Sequence, residues 1–157
     1  LDKYRNENFI YAGTSAGAAA ASNNMIYQGS SSEALLKGEV KITSGLGLIN
    51  DVIIDTHFVQ RGRIGRLFQA VVGNPKTFGI GLGEDTGLLI TRGIKMEAIG
   101  SGLGILVDGR EIKDTNLTQI ELGQPISISH LVTHIMSKFD TYNLETSIMH
   151  IKSSQYE

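Results

Sequence analysis

Ser15 stands between glycines in Gly13-Thr14-Ser15-Ala16-Gly17, with the apolar run Phe9 to Ala12 before it and alanines after it. The G-x-S-x-G spacing suits a nucleophile elbow, in which a serine sits on a strained turn between a strand and a helix. Small neighbours are needed because the helix passes close to the strand, and Gly13, Ala16, Gly17 and Ala18 meet that demand. Such a turn also aims backbone N–H groups at a reacting carbonyl oxygen, and Ala16 N–H is the natural oxyanion donor. Two plainer readings stand beside this one: a tight structural turn, or a helix N-terminus that holds a phosphate.

A serine nucleophile needs a base, and the base needs an orienting acid. The chain has four histidines. His57 directly follows the strand-like "DVIIDT", where a loop at the carboxyl end of a strand presents it beside other strand ends. His130 and His134 are four apart, a spacing that places both on one face of a helix. "HLVTH" lacks the glutamate of the helical zinc motif, so no metal site is expected there. His150 reads as a surface residue. Arg61, Arg63 and Arg66 follow His57 within nine residues. A solvated basic face is the usual explanation of such a run. Here, however, the arginines open a helix, where the dipole disfavours cations. That points to another task, such as binding a carboxylate through bidentate hydrogen bonds. In "GIGLGEDTGLLI", Glu84 and Asp85 lie at a turn between apolar segments. Asp85 reads as a turn residue. Glu84 can instead reach His57 and hold its tautomer.

The elements that position these residues follow from periodicity. Phe9 to Ala12 reads as a buried strand, and Gly17 to Asn24, rich in alanine, as a helix. Lys41 to Gly47 reads as a polar, flexible stretch, and Glu33 to Lys37 as a short helical turn. Leu48 to Asp55 reads as a strand, and Gly62 to Val72 as a helix ended by Gly73-Asn74-Pro75. Phe78–Leu82, Gly87–Thr91, Lys95–Ile99 and Gly104–Val107 read as further strands, with Asp108-Gly109 as a hairpin turn. "PISISHLVTHIMSKFD" fits either a strand or a helix. The result is an α/β pattern with an antiparallel extension. The length, 157 residues, allows one domain. A net charge of −2 gives no support to a general nucleic-acid or membrane-surface role. The absence of cysteine excludes disulfides and thiolate metal sites. Nineteen glycines against two prolines suggest many close backbone approaches.

Taken in order, "GTSAGA", "DTHFVQRGRIGRL" and "GIGLGEDTG" resemble the cyanophycinase family of serine peptidases, relatives of aspartyl dipeptidase. The resemblance covers about Phe9 to Leu89. It implies Ser15 as nucleophile, His57 as base and Glu84 as orienting acid, with Glu33 the second choice for the acid. It places Asp55, Thr56, Arg61, Arg63 and Arg66 around the substrate, and Asp55 and Asp85 are candidates to hold a substrate guanidinium. The family usually has aspartate where Gly83 stands, often alanine at Gly87, and commonly glutamine at Thr56. The implied activity is that of a serine-type exopeptidase. It hydrolyses cyanophycin, a polyaspartate bearing arginine on each β-carboxylate, to β-aspartyl-arginine dipeptides through an acyl-enzyme. Two alternatives are an aspartyl dipeptidase acting on short peptides and a non-catalytic binding or structural protein that keeps the fold. No cofactor and no metal are implied.

The implied fold is a three-layer α/β/α domain with a flavodoxin-like sheet, of the class I glutamine amidotransferase kind. Residues 1–157 are then the C-terminal part of a single domain. The N-terminal half supplies further parallel strands and a glycine-rich loop with the second oxyanion donor. The expectation is that residues 1–157 alone are inactive, and that they associate with that half or with a second copy. A peptide substrate, no nucleic acid, no membrane and a cytoplasmic location complete the expectations.

Overall fold

The computed structural model describes residues 2–152. The elements run α1 (Asp2–Asn6), α2 (Ala16–Ala20), β1 (Ser22–Gln28), β2 (Lys41–Ser44), β3 (Ile49–Thr56), α3 (Ile64–Gly73), β4 (Phe78–Leu82), β5 (Thr86–Thr91), β6 (Lys95–Gly100), β7 (Gly104–Asp108), β8 (Asp114–Thr115), β9 (Ile128–Ser129), β10 (Val132–Met136), β11 (Thr141–Asn143) and β12 (Ile148–His150). The chain is thus α/β, with few helices and mixed sheets. The main sheet has six strands in the order β10-β7-β4-β3-β1-β2. β1, β3 and β4 are mutually parallel at its centre, and the strands outside them pair antiparallel. A four-stranded sheet, β12-β11-β6-β5, and a two-stranded one, β8-β9, complete the set.

Side-chain alternation along β3 decides what covers each face. Val52 and Ile54 turn one way and pack with Phe78, Ile80, Leu106 and Met136 against Met96, Ala98 and Tyr142 of the four-stranded sheet. Ile53 turns the other way and meets Leu67, Ala70 and Val71 of α3, together with Phe58 and Val107. β4 uses the same alternation with glycine. A Cβ on Gly79 would lie 2.8 Å from Val71 Cγ2, and one on Gly81 would lie 2.5 Å from the Phe58 ring. Two glycines facing α3 therefore let the helix and the His57 loop settle directly on the backbone of β4.

Several sequence expectations change. Phe9–Ala12 is irregular rather than a strand, and Ile10 is 89% exposed. An apolar run becomes a strand only beside a partner, and none pairs with it among the described residues. The alanine-rich helix stops at Ala20, and Ser22–Gln28 is a strand. Pairing with β2 and β3 overrides the local helix propensity. Ser22 Oγ donates to the Ala19 and Asn24 carbonyls at this changeover. Lys41–Ser44 is an exposed edge strand, not a flexible stretch. Asp108-Gly109 makes no hairpin, because β7 pairs with β4 and β10 and the chain leaves toward β8. Gly109 is instead a point of close approach, where a Cβ would meet Val71 and Pro75. The ambiguous C-terminal segment forms strands, so His134 lies on β10 and shares no helix with His130. The four-stranded sheet packs on the Val52 and Ile54 face of the main sheet through Met96, Ala98 and Tyr142.

One buried ion pair ties sheet to helix. Arg66 of α3 donates Nε to Asp55 Oδ2 at 2.5 Å and Nη2 to Oδ1. Asp55 and Arg66 are 3% and 7% exposed. Removing one partner leaves the other charge buried without compensation, which typically costs about 3–5 kcal/mol. Asp55→Ala is therefore expected to lower stability by about that amount, read as a drop in the urea midpoint. Asp55→Asn keeps acceptor capacity and should cost less.

Two other buried carboxylates set the acid limit of stability. Burial alone would push Asp140 up, but N–H groups of Ser137 and Lys152 and the Ser137 hydroxyl hold it below the usual carboxylate range. Burial likewise pushes Asp108 up, and Arg110 outweighs it with its hydrogen bonds and charge, so Asp108 too lies below the usual carboxylate range. A depressed folded-state pKa contributes stability that is present above the unfolded pKa and lost as pH falls through the folded one. Unfolding free energy is thus expected to decline below about pH 4. Asp140→Asn should flatten that decline in urea titrations taken at successive pH values.

Candidate active site

Ser15 precedes α2 with φ 49° and ψ −118°. A positive φ at a side-chain-bearing residue is strained and persists only when its surroundings enforce it. Gly13 is part of that enforcement. A Cβ there would sit 2.5 Å from the Gly17 carbonyl oxygen, so no other residue allows the chain to fold back this closely. Gly17 N–H donates to the Thr14 carbonyl at 2.8 Å, and the Tyr11 hydroxyl caps the Gly17 carbonyl at 2.6 Å. Gly17 itself has room, since its nearest would-be contact is Tyr11 at 3.8 Å. The strand–turn–helix expectation holds on the helix side only.

His57 follows β3 directly and also has a positive φ, 53°. Its carbonyl accepts from Arg61 N–H at 3.1 Å, and Phe58 N–H donates to the Leu82 carbonyl at 3.0 Å. These bonds fold the loop back over the end of β4. Glu84 follows β4 at the turn before β5. β3 and β4 are parallel neighbours with Thr56 opposite Leu82, so the residues just past each strand emerge side by side. The resulting line of contacts is short. Ser15 Oγ lies 3.1 Å from His57 Nε2, and His57 Nδ1 lies 3.4 Å from Glu84 Oε1. The imidazole is 32% exposed and the carboxylate 55% exposed, so the group opens to solvent. With Nδ1–H donated to the carboxylate, Nε2 is free to accept from the serine hydroxyl.

The other predicted residues separate into two groups. Arg63 and Arg66 meet a carboxylate, as their place at a helix start suggests, but the carboxylate is the chain's own Asp55. Arg63 also donates to the Thr56 carbonyl at 2.7 Å, and Arg66 to the Gly29 carbonyl at 3.4 Å. Burial and the neighbouring Arg66 push Arg63 below the ordinary arginine value, with Asp55 opposing. The Asp55 carboxylate in turn accepts from Thr56 N–H at 2.9 Å. Arg61 is exposed and makes no ion pair among the described residues. Ala16 N–H, at the first residue of α2, has no intrahelical acceptor. Glu33 is exposed, and its carboxylate makes no bond to His57, whose Nδ1 faces Glu84. Asp85, at φ 53°, accepts Ser101 and Gly102 N–H groups through its carbonyl, as a turn residue does. Gln60 was not singled out from sequence. Its side-chain oxygen accepts Glu84 N–H at 3.1 Å, a single backbone contact that leaves no mark on residue patterning.

Comparison with known proteins agrees with the motifs. The family model for peptidase family S51 matches residues 1–97. A cyanophycinase from Synechococcus elongatus is 39% identical over 137 residues, covering 87% of this chain and 42% of that protein. One from Trichormus variabilis is 38% identical over 142 residues, covering 90% and 48%. One from Geminocystis herdmanii is 39% identical over 134 residues, covering 85% and 49%. The chain therefore spans about half the length of the curated relatives it matches. With this identity reaching across nearly all of the chain, and the family model across more than half, the chain belongs to peptidase family S51.

Proposed function

We propose that this chain carries the catalytic residues of a serine-type exopeptidase that hydrolyses cyanophycin to β-aspartyl-arginine dipeptides. The observation that carries the reading is the relay from Ser15 Oγ to His57 Nε2 at 3.1 Å and from His57 Nδ1 to Glu84 at 3.4 Å. The cyanophycinase relatives support the choice of substrate. His57 takes the Ser15 proton as Oγ attacks the scissile carbonyl carbon. The tetrahedral intermediate collapses, the C–N bond breaks, and His57 returns the proton to the leaving amine. Water, activated by the same imidazole, then hydrolyses the ester. Glu84 holds the tautomer and stabilises the imidazolium. Ala16 N–H donates to the oxyanion, worth about 3 kcal/mol in comparable sites.

Asp55, Thr56, Arg61, Arg63 and Arg66 form the substrate side of the site in this reading. Arg61, exposed and free of ion pairs among the described residues, reaches for substrate carboxylates. Arg63 and Arg66, engaged with Asp55, shape the floor beneath it. An aspartyl dipeptidase activity on short peptides is the alternative outcome of the same assay.

The reading also takes the chain as the C-terminal part of one α/β/α domain of the glutamine amidotransferase-like kind. The other half supplies the remaining strands, helices and second oxyanion donor. Exposed Phe9 and Ile10, next to the serine turn, support this, as does the chain's share of its relatives' length. Residues 1–157 alone are expected to be inactive on cyanophycin and to self-associate or to bind that half. Turnover by a monomeric preparation would refute this.

In the whole protein that carries this sequence, Ser15→Ala should lower kcat on cyanophycin about 10⁴-fold or more. Glu84→Gln should lower it by about 10⁴-fold, because the amide favours the wrong imidazole tautomer, while Glu33→Gln should leave it close to wild type. Release of β-aspartyl-arginine is the readout. Unchanged release in Ser15→Ala would refute the mechanism, and cleavage of aspartyl dipeptides but not the polymer would move the substrate to the alternative.

A further inference from the structure

We infer that Gln60 is a positioning residue that fixes Glu84 against His57. The inference rests on the proposed peptidase reading and deepens it. The Glu84 carboxylate is more than half exposed, and the side chain it meets is that of His57. An exposed glutamate has several rotamers and no reason of its own to stay in line with an imidazole. Its position is set by the backbone that bears it. The far side of that backbone rests on the loop between β6 and β7. Ser101 and Gly102 N–H groups donate to the Asp85 carbonyl at 2.9 and 3.2 Å, and Gly83 N–H donates to the Leu103 carbonyl at 3.0 Å. The approach is so close that a Cβ on Gly102 would lie 2.2 Å from the Glu84 carbonyl oxygen, and one on Gly100 would lie 2.1 Å from the Asp85 carbonyl oxygen. The turn cannot retreat in that direction.

On the near side the tie is Gln60. Its Oε1 accepts Glu84 N–H at 3.1 Å. Gln60 lies three residues beyond His57, inside a turn closed by Arg61 N–H to the His57 carbonyl and by Arg63 N–H to the Phe58 carbonyl. The same small loop therefore carries the base and grips the acid's backbone. Phe58 N–H joins the two strand ends at Leu82, but Gln60 reaches the acid residue itself. A shift of about 1 Å in such a constellation can cost about a hundredfold in rate.

The test uses the whole protein and two substitutions of similar length. Gln60→Met removes the acceptor, and Gln60→Glu keeps an acceptor oxygen. Gln60→Met should lower kcat on cyanophycin about tenfold or more with KM within about twofold, and Gln60→Glu should recover most of that loss. In a Glu84→Ala background, Gln60→Met should cost less than about twofold, because a residue that acts through Glu84 has nothing left to position. Circular dichroism and urea midpoints check that each variant folds. Equal losses in Gln60→Met and Gln60→Glu, an unchanged kcat in Gln60→Met, or a full loss persisting without Glu84 would overturn the inference. Labelling of Ser15 by a fluorophosphonate separates the two levels. An unlabelled, inactive wild type refutes the peptidase reading and this inference with it. A labelled, active wild type with an indifferent Gln60 refutes only the inference.

Discussion

The Asp55 carboxylate is the point on which the site's geometry hangs. It sits at the end of β3, one residue before Thr56 and two before His57, and it is buried. Left alone it would be costly there, so it must be matched by cations that can also be buried. Arg66 and Arg63 supply them from the start of α3. The pairing joins the end of the strand to the beginning of the helix. The loop between them, residues 57–63, is thereby closed at both ends, and it is this loop that bears His57 and Gln60. Arginine suits the task better than lysine, because its planar fork meets both carboxylate oxygens at once. An ion pair of this kind adds little net stability compared with a packed apolar pair. It does fix the direction of the loop, which the proposed relay through His57 needs.

Glycine performs the complementary task of letting backbones approach where the ion pair holds them. At Gly13 the chain folds back on Gly17, and Ser15 is left at positive φ. At Gly81 the Phe58 ring lies over bare β4 backbone, and at Gly102 the Glu84 carbonyl is met by another loop. Each of the three side chains in line is therefore backed by a contact that a methyl group would prevent. Several of the nineteen glycines thus stand where the site needs close backbone approach. Gly83 belongs to the same set: a Cβ there would lie 2.8 Å from the Leu103 carbonyl, so an aspartate at this position requires a different path for the neighbouring loop.

How far this could be read from the sequence depended on whether the determining forces were local. β3, α3 and β4 were legible because their burial is written as contiguous periodicity: Val52-Ile53-Ile54, then Leu67, Val71 and Val72, then Phe78 and Ile80. Ser15, His57 and Glu84 were legible together because three motifs occur in order. Ser22–Gln28 was not, since alanine preference extends into it from one side and its partners lie more than ten residues away. Phe9–Ala12 has the composition of a strand, but composition does not supply a partner. The arginines were half legible. Their place at a helix start announced a carboxylate, yet no local signal indicated that the chain would provide it itself. Gln60 was invisible, because one side-chain oxygen on one amide leaves no pattern.

The chain order serine, histidine, glutamate also becomes intelligible from topology. β3 and β4 are adjacent and parallel, joined by α3, so whatever follows β3 must stand beside whatever follows β4. His57 after the first and Glu84 after the second are then neighbours by construction, about one helix apart in sequence. The serine comes from elsewhere. It begins α2, which packs against β3 and leads into β1, the strand on the other side of β3. β3 is thus flanked by the element that carries Ser15 and by the strand that leads to Glu84, and it leads to His57 itself. The imidazole stands in the middle of the line, at the end of the central one of the three parallel strands.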